Sequence, residues 1–470
     1  MKIEEAIQII EVLQLEIKNL RVEMRKLRAE NAELRAENSK LKEQLNKNSR
    51  NSDKPPSTDA FKKSKKKLEK SKRNCGAQHG HKGNFRKKAV TEDITKHIEF
   101  HIEDTCGCGC KVVVAKQMKP KHQTWELPKI VPNITQYYIE SGRCKNCKKW
   151  RTAKLSHEVT KSAFGPRTQS IIAMMTGQYR ISRRNTKKIL AELCGLKISL
   201  GSVSNCEKVV SNALRNPCME ILKHVRNSPI LNADETSHLH FSERCYAWAL
   251  TTPKAMAIKV GLRRNRKAFK ALLGRNFQGT IISDNYGVYN YLSKDRHQLC
   301  WAHFHRKFQS FSEEPGLLGI IGKTLLKFSR KVFHICKQLK LGYICYDDYW
   351  AQLLQLKNKF QYILGNYYNK VPKLRSFSYL YWLKAEKVWH FAKNPAVEAT
   401  NNLAERDLRP LVIWRKTSFG TWSFRGDRFC ERMLTYVGTL RKQSKNVFDC
   451  LIETVEAKQY ALPAPSVFTN

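Results

Sequence analysis

Residues 229–238 read Pro-Ile-Leu-Asn-Ala-Asp-Glu-Thr-Ser-His, a short apolar run that ends at Asp234. A second run, Gly-Thr-Ile-Ile-Ser at 279–283, ends at Asp284 in the same way. Short apolar runs are typical of buried strands, and an acid at the end of such a strand faces a cleft rather than a core. Glu405 lies in the first turns of a predicted helix that begins near Thr400. We therefore expect Asp234, Asp284 and Glu405 to converge.

Three converging carboxylates form a donor set for divalent cations. Oxygen ligands suit Mg²⁺ or Mn²⁺, and two such ions in one active site can activate a water or hydroxyl and stabilise a leaving phosphate oxygen. The chain has 86 Lys and Arg against 41 Asp and Glu, a formal charge of +45. This excess predicts salt-sensitive attraction to nucleic acid, although a merely solubilising surface charge is the alternative. Together, the acids and the charge indicate metal-dependent cleavage of nucleic acid.

Six short motifs occur along the chain in a fixed order. They are NSDKPPSTD at 51–59, GHKG at 80–83, DET at 234–236, SDNY at 283–286, CWAH at 300–303 and TNNLAERDLRPL at 400–411. In this order they resemble the signature of insertion-sequence family 66 transposases over nearly the whole chain. Asn285, where many members have Gly, and His305, where Arg is common, depart from the family pattern. Neither departure touches a proposed metal ligand.

The resemblance implies a DDE transposase that cleaves double-stranded DNA at the ends of its element and transfers the freed 3′-hydroxyl to target DNA. Asp234, Asp284 and Glu405 match the family's catalytic positions. Accessory transposition proteins are further candidate partners. Four basic residues of the last motif and the stretch that follows it are the expected phosphate contacts: Arg406, Arg409, Arg415 and Lys416.

The pattern around the acids predicts the fold of the catalytic part. Apolar or alternating runs at 245–250, 255–260 and 298–301 read as further strands, and 263–273 reads as a basic helix. Three strands, a helix and a strand, with acids on the first and fourth strands, fit a ribonuclease-H-like core, which the resemblance also implies. Residues from 308 to about 389 have helical spacing, so an all-helical insertion separates Asp284 from Glu405.

The N-terminal segment has a heptad repeat. Five leucines occupy the d positions, and the a positions include two asparagines: Leu13, Leu20, Leu27, Leu34 and Leu41, with Asn31 and Asn38. Glutamates at g and basic residues at e would attract each other between two parallel chains, and seam asparagines favour two strands in register. The pattern predicts a parallel homodimeric coiled coil. One amphipathic helix packed on its own domain is the alternative.

Cysteines indicate a zinc-binding unit after a basic linker. Residues 61–73 hold eight basic residues and one acid, typical of a disordered tether or a phosphate-gripping arm. Beyond it, Cys144 and Cys147 form a C-x-x-C knuckle, and two thiolates from an earlier cluster complete a tetrahedral site for one structural Zn²⁺. Short strands at 112–114 and 135–139 would make this unit zinc-ribbon-like, and the resemblance agrees. The spacing leaves open which two of the earlier cluster bind: Cys106, Cys108 and Cys110.

Residues 165–227 have a helical pattern. Ser182 can cap a helix that is followed by Gly195, and a second helix opens at Ser199. Basic residues on the first helix, Arg183, Arg184 and Lys187 among them, favour a helix-turn-helix-like DNA-binding unit, while a packing hairpin with exposed charge is equally compatible. Cys300 and His303 supply only two ligands, so a structural role or a DNA contact is favoured for them.

The sequence thus predicts a multidomain α+β/α protein. The expected order is a leucine-zipper coiled coil (1–47), a basic linker (48–90), a cysteine-rich zinc-binding domain (91–160), a helical DNA-binding segment (161–227), the catalytic core (228–307), the insertion (308–392) and the rest of the core (393–470). No run reads as a signal peptide or a membrane helix, so we expect a cytoplasmic, nucleoid-associated protein. The second candidate function is that of a DNA-binding regulator that does not cleave DNA. The third is that of a structure-specific nuclease.

Overall fold

The computed structural model of the chain describes residues 3–48, 51–52, 88–113, 122–156, 159 and 162–468. The basic block at 61–73, the GHKG motif and most of the motif at 51–59 therefore lie outside the described residues. The chain divides into two compact units: 1–60, 136–188 and 198–470 form one, and 61–135 with 189–197 form the other. In the part that is described, the helices are too short or too polar to cross a membrane.

The N-terminal segment is a single helix of 44 residues, α1 (Ile3–Asn46). This confirms the helical prediction for the heptad region. The leucines at the d positions lie on its surface: Leu13 is 49% exposed and Leu20 59% exposed, and Leu27, Leu34 and Leu41 fall in the same range. An apolar stripe of this length therefore stays open to solvent along the helix of one chain.

A small antiparallel hairpin surrounds the C-x-x-C knuckle. Its strands are β1 (Ser141–Arg143) and β2 (Trp150–Thr152). The knuckle turn closes the hairpin, because the Cys144 amide donates to the Lys149 carbonyl at 2.9 Å. The strands predicted at 112–114 and 135–139 are wrong where they can be checked, since 112–113 and 135–139 lie outside strands. Among the described residues, the apolar residues of these two ranges have no partner strand. The turn at Cys144 and Cys147 instead joins β1 and β2, the strands that immediately flank it.

Helices fill the region from 166 to 226, as predicted. They are α2 (Pro166–Ala173), continued by a π-helical turn (Met174–Gln178), then α3 (Arg183–Cys194), α4 (Leu200–Ala213) and α5 (Arg215–Arg226). Ser182 and Ser199 cap α3 and α4, because their hydroxyl oxygens accept amide hydrogen bonds at 3.1 and 3.0 Å. Gly195, just past α3, has a φ of +64°, the left-handed conformation that ends many helices.

A five-stranded mixed sheet forms the centre of the larger unit. Its strands are β3 (Ile230–His240), β4 (Glu243–Thr251), β5 (Met256–Leu262), β6 (Thr280–Ser283) and β7 (His297–Leu299), in the order β5-β4-β3-β6-β7. The pairs β3–β4 and β4–β5 are antiparallel, while β3–β6 and β6–β7 are parallel. The central position of β3 follows from its apolar start, since Leu231 and Ala233 are fully buried.

One expectation about β3 is wrong: the strand does not end at Asp234. It runs on to His240 because β4 pairs with it from Asn232 to His240, whereas its parallel pairing with β6 stops at Asn232. The two strands join through Phe241 and Ser242, whose φ angles are +48° and +65°. Positive φ at both positions of a two-residue loop is the type I′ geometry that matches strand twist.

Helices cover the sheet and form the insertion. α6 (Arg266–Leu273) precedes β6, and the insertion consists of α7 (Trp301–Ser312), α8 (Gly316–Lys340), α9 (Tyr346–Tyr367), α10 (Pro372–Val388) and α11 (His390–Lys393). α12 (Asn402–Ser418), α13 (Phe424–Lys442) and α14 (Val447–Gln459) follow. The insertion is thus all-helical, as predicted, and has its own apolar core around Trp301, Phe308 and Phe360. It begins at Trp301, directly after β7, rather than at 308.

Candidate active site

Asp234 and Asp284 come from neighbouring parallel strands. The ladder pairs Ile230 with Thr280 and Asn232 with Ile282, and Asp234 and Asp284 each lie two residues beyond this last pair. Asp284 follows the last residue of β6. Backbone amides orient both carboxylates, since Asp234 Oδ1 accepts from the Glu235 amide at 2.9 Å and Asp284 Oδ1 from the Tyr286 amide at 3.0 Å.

Glu405, in the first turn of α12, is near enough for its charge to act on Asp234. The start of this helix is tied to β3 by Asn401, which is fully buried. The Asn401 side-chain amide donates to the Ala233 carbonyl at 2.9 Å, and Asn232 donates to Asn401 Oδ1 at 3.0 Å. Because Ala233 and Asn232 immediately precede Asp234, these bonds fix the helix that carries Glu405 against the strand that carries Asp234.

The electrostatics of Asp234 indicate crowded negative charge. Its pKa is raised well above the usual aspartate value, first by burial and then by the charges of Glu235, Asp284 and Glu405. Like charges and a low-dielectric surrounding both disfavour ionisation of a carboxylate. A bound divalent cation would favour the ionised carboxylates and so offset both effects, which means that this donor set of partly buried, mutually repelling acids fits a hard cation.

Glu235 has a different role from its neighbour. Successive strand residues point to opposite faces, and the Glu235 carboxylate accepts from Arg264 at 2.7 Å and from the Tyr289 hydroxyl at 3.0 Å. Its side chain is 2% exposed. The charge of Glu235 is therefore held by these two partners beneath the strand, where it adds to the field on Asp234.

Cys300, His303 and Glu405 form a group, and Glu405 is the third member that the sequence analysis did not add to Cys300 and His303. One ligand atom of each lies within 4.8 Å of the others, and in the described residues no other group of three His, Cys, Asp or Glu side chains meets this spacing. His303 Nε2 lies 4.0 Å and an Arg306 nitrogen 3.4 Å from Glu405 Oε1. Burial raises the pKa of the Cys300 thiol to about 11, and its sulfur accepts from the Asn401 amide at 3.1 Å. The i, i+3 spacing of Cys300 and His303 was the available signal.

The insertion also contributes a cation to the site. Lys384 on α10 donates to Asn285 Oδ1 at 2.6 Å and to Asn290 Oδ1 at 2.8 Å. Burial lowers its pKa, while the nearby charge of Asp284 acts in the opposite direction. Lys384 was not predicted, because a lysine in a helix 100 residues from Asp284 has no local signature.

The two acids that compete with Glu405 in the sequence are occupied elsewhere. Asp407 accepts from the Thr251 hydroxyl and pairs with Lys442 at 2.7 Å. Glu398 is paired with Lys340 at 3.2 Å on the surface. The convergence with Asp234 and Asp284 therefore belongs to Glu405 among these three acids.

The predicted DNA-contacting residues fall into two groups. Arg406, Arg409 and Lys416 are exposed on α12, and Arg184 and Lys187 are exposed on α3.

The remaining two already have protein partners. Arg415 donates to the Ser237 carbonyl and hydroxyl. Arg183 forms a bidentate pair with the buried carboxylate of Glu207, with a shortest distance of 2.6 Å. Their charges therefore orient side chains within the fold as well as contributing to the surface potential.

The predicted zinc ligands are free thiols in two turns, each in its own compact unit. In the first turn, Cys106, Cys108 and Cys110 are exposed, and hydrogen bonds from the Cys110 backbone and then the neighbouring thiols lower the pKa of Cys108. In the second, backbone amides of Cys147 and Asn146 lower the pKa of Cys144. A thiol whose anion is favoured is closer to the thiolate that zinc binds.

Comparison with known families gives two matches. The model of a family described as Transposase IS66 family matches residues 161–428, which include Asp234, Asp284 and Glu405. A family of unknown function, DUF6444, matches residues 3–87, which include α1. No curated protein matches the chain.

Proposed function

The chain belongs to the Transposase IS66 family, whose general activity is cutting and joining DNA, and on this premise we propose that it is an active DDE transposase. It binds the terminal repeats of its own insertion sequence, cleaves a strand there and transfers the freed end to target DNA. The observation that carries the proposal is the convergence of Asp234, Asp284 and Glu405 from β3, β6 and α12.

Asp234, Asp284 and Glu405 would hold Mg²⁺ or Mn²⁺, up to two ions as the sequence predicts. Their fit rests on the donor chemistry, which is all carboxylate oxygen, and on the raised pKa of Asp234. When bound, the cations supply the positive charge that lowers the pKa of the attacking water or hydroxyl and stabilises the departing oxygen.

The protein's own contribution is placement. Asn401 fixes Glu405 against β3, and the Tyr286 amide orients Asp284. Arg306, 3.4 Å from Glu405, holds that carboxylate at the edge of the site. Lys384 adds a cation beside Asp284 that suits a phosphate oxygen. Pre-set groups of this kind lower the barrier because they need no reorganisation during reaction.

The order of the strands supports a ribonuclease-H-like assignment. Three strands form an antiparallel meander, and two further strands lie parallel to the first of them, on its other side. Asp234 lies on the first strand and Asp284 follows the fourth, which supports this assignment. The helix that carries Glu405 returns to the first strand after the insertion.

Two further features belong to the proposal. The half-exposed leucine stripe of α1 supports a parallel homodimer, since a stripe of this kind is normally buried by a second helix. A structural Zn²⁺ on four of Cys106, Cys108, Cys110, Cys144 and Cys147 stays a prediction, for which metal analysis of the purified protein is the direct check.

A nicking assay distinguishes the proposed transposase from the alternative, a DNA-binding protein that does not cleave DNA. Supercoiled DNA carrying the element's own ends is incubated with Mg²⁺ or Mn²⁺ and with wild type, Asp284→Ala or Glu398→Gln. We expect metal-dependent nicks at the ends from wild type and from Glu398→Gln, whose surface acid is the matched control. Asp284→Ala should lose at least about 100-fold in rate. End-binding by all three proteins without cleavage by any would favour the alternative.

A further inference from the structure

Four aromatic side chains protrude where the β3–β4 hairpin meets the loop between α12 and α13. They are Phe241, Phe419, Trp422 and Phe424, with exposures of 52%, 73%, 61% and 73%, and we call them the aromatic tip. Backbone hydrogen bonds join the two segments, since the Phe241 amide donates to the Thr421 carbonyl at 3.0 Å and the Thr421 amide to the Leu239 carbonyl at 2.9 Å.

Two of these phenylalanines occupy backbone conformations that bulky residues rarely adopt. Phe241 has a φ of +48° and Phe419 a φ of +54°, where Gly or Asn is the usual residue. Burial of the ring does not offset the unfavourable backbone conformation at either residue, because both side chains are more than half exposed. Strained residues of this kind persist where the surrounding structure enforces them and cluster at functional sites.

Close packing and buried polar contacts lie behind the tip. Gly420 packs so closely on β3 that a Cβ there would lie 2.3 Å from the Leu239 carbonyl oxygen. Behind it, the Thr421 hydroxyl donates to the buried Asp427 carboxylate and lies 3.1 Å from Nε2 of the buried His238. Asp427 in turn lies 2.8 Å from His240 Nδ1. A buried polar network of this kind fixes one conformation of the loop.

The exposed charge around the tip is mostly positive. Arg244, Lys416 and Arg425 are exposed beside the aromatic residues, with Glu243 as the one exposed acid of the hairpin turn. Arg425 also contacts Ser204. Exposed aromatic rings among basic side chains are the combination that holds nucleic acid, because rings stack on bases while cations bind the backbone. Two such basic surfaces from identical chains would repel each other.

α12 links the tip to the acids. Glu405 lies in its first turn and Phe419 immediately follows its last residue, so 14 residues separate them, about 21 Å at 1.5 Å per residue. Arg409 and Lys416 are exposed along the helix between the two. At 3.4 Å per base pair this distance corresponds to about six base pairs of DNA.

We infer that the aromatic tip is a second DNA-contacting element, which stacks on exposed or unwound bases about six base pairs from the scissile phosphate and sets the register of the end in the active site. This inference rests on the proposed function, since it takes DNA as the substrate. Its partner is a distorted or partly single-stranded stretch of the duplex, because stacking requires accessible base faces.

The test is a hydroxyl-radical footprint with a parallel affinity titration on a 60-base-pair duplex that carries the element's own end, in EDTA to prevent cleavage. Wild type is compared with Trp422→Ala/Phe424→Ala. The matched control is Tyr362→Ala/Tyr379→Ala on α9 and α10, whose rings are 71% and 66% exposed. Trp422→Tyr/Phe424→Tyr retains stacking and should restore binding.

We expect the double alanine variant to bind about tenfold more weakly or worse and to lose protection centred about six base pairs from the cleavage position. An unchanged footprint and affinity, with wild type cleaving normally in Mg²⁺, would overturn the inference and leave the proposed function intact. A lower mass in light scattering with an unchanged footprint would also overturn it, by assigning the tip to a contact between chains. If wild type neither binds nor cuts the ends, both proposals fail together.

Discussion

Asp234 and Asp284 each follow by two residues the last pair of the parallel β3–β6 ladder, Asn232 with Ile282. The charge of Asp284 acts on Asp234. Burial, and then the charges of Glu235, Asp284 and Glu405, raise the pKa of Asp234. The proposed cation site leads to several measurable predictions.

Metal should stabilise the folded protein through these acids. In EDTA, Asp284→Asn should leave the melting temperature unchanged or raise it, because it removes a charge that repels Asp234. Added Mg²⁺ at about 100 times its dissociation constant should stabilise wild type by about 2.7 kcal/mol and the variant by far less. Thermal melts with and without Mg²⁺ measure both effects. Equal stabilisation of the two proteins would assign the metal to another place.

His303 and Arg306 should act by positioning Glu405. His303→Gln removes the ring 4.0 Å from the Glu405 carboxylate, so the Mg²⁺ concentration for half-maximal nicking should rise about tenfold. Arg306→Lys keeps the charge and should have a smaller effect than Arg306→Gln. A loss of rate at saturating Mg²⁺ with no change in metal requirement would contradict a positioning role.

Two buried histidines should make stability depend on pH. Burial lowers the pKa of His238 to about 4 and that of His297 to about 3, against about 6.5 in the unfolded chain. The unfolded state therefore binds more protons, and these groups destabilise the fold as pH falls from about 6.5 towards 4.

Each of these histidines contributes a slope of up to about 1.4 kcal/mol per pH unit. Urea titrations between pH 4.5 and 7.5 in EDTA measure it. Subtracting the slope of the His297→Gln or His238→Gln variant from the wild-type slope gives the contribution of that one histidine to the pH dependence of stability. The opposing contribution of Asp234 cancels in this difference. An identical slope in wild type and both variants would show that these rings are not neutral in the fold.

The leucine stripe of α1 should control the oligomeric state. Leu27→Glu places a charge in the predicted seam and should convert dimer to monomer in size-exclusion chromatography with light scattering. Val22→Glu, at a position of the same helix outside the seam and 47% exposed, is the matched control and should remain dimeric. A monomeric wild type would instead support a helix that packs within one chain.

Arg409 should contribute to DNA affinity through a phosphate. Arg409→Ala should weaken binding to all duplexes alike and reduce the slope of log affinity against log salt by about 1. Lys340→Ala, which removes an exposed cation paired with Glu398, should leave the slope unchanged. Fluorescence anisotropy across 50 to 200 mM salt, a range estimated from the usual dependence, makes the comparison. A change confined to one DNA sequence would indicate base reading instead.

Local patterns in the sequence predicted the elements well. Apolar runs gave the strands of the sheet, helical spacing gave the insertion, and Ser182 and Ser199 gave helix starts, because these depend on neighbouring residues alone. The strands beside the cysteines failed because isolated apolar residues do not choose a partner. β3 proved longer than its apolar run because the pairing strand β4, rather than hydrophobicity, determines where it ends.

The sequence by itself determined the family and the mixed architecture and proposed the three acids, since each of these rests on short contiguous motifs that need no distant partner. Only the tertiary structure decided which groups surround those acids. Cys300, His303 and Arg306 meet Glu405 across about 100 residues, Lys384 reaches Asn285 from the insertion, and Phe241 lies beside Thr421. Such contacts arise when a sheet and its helices close around a shared core, and no local pattern specifies which side chains will then face one another.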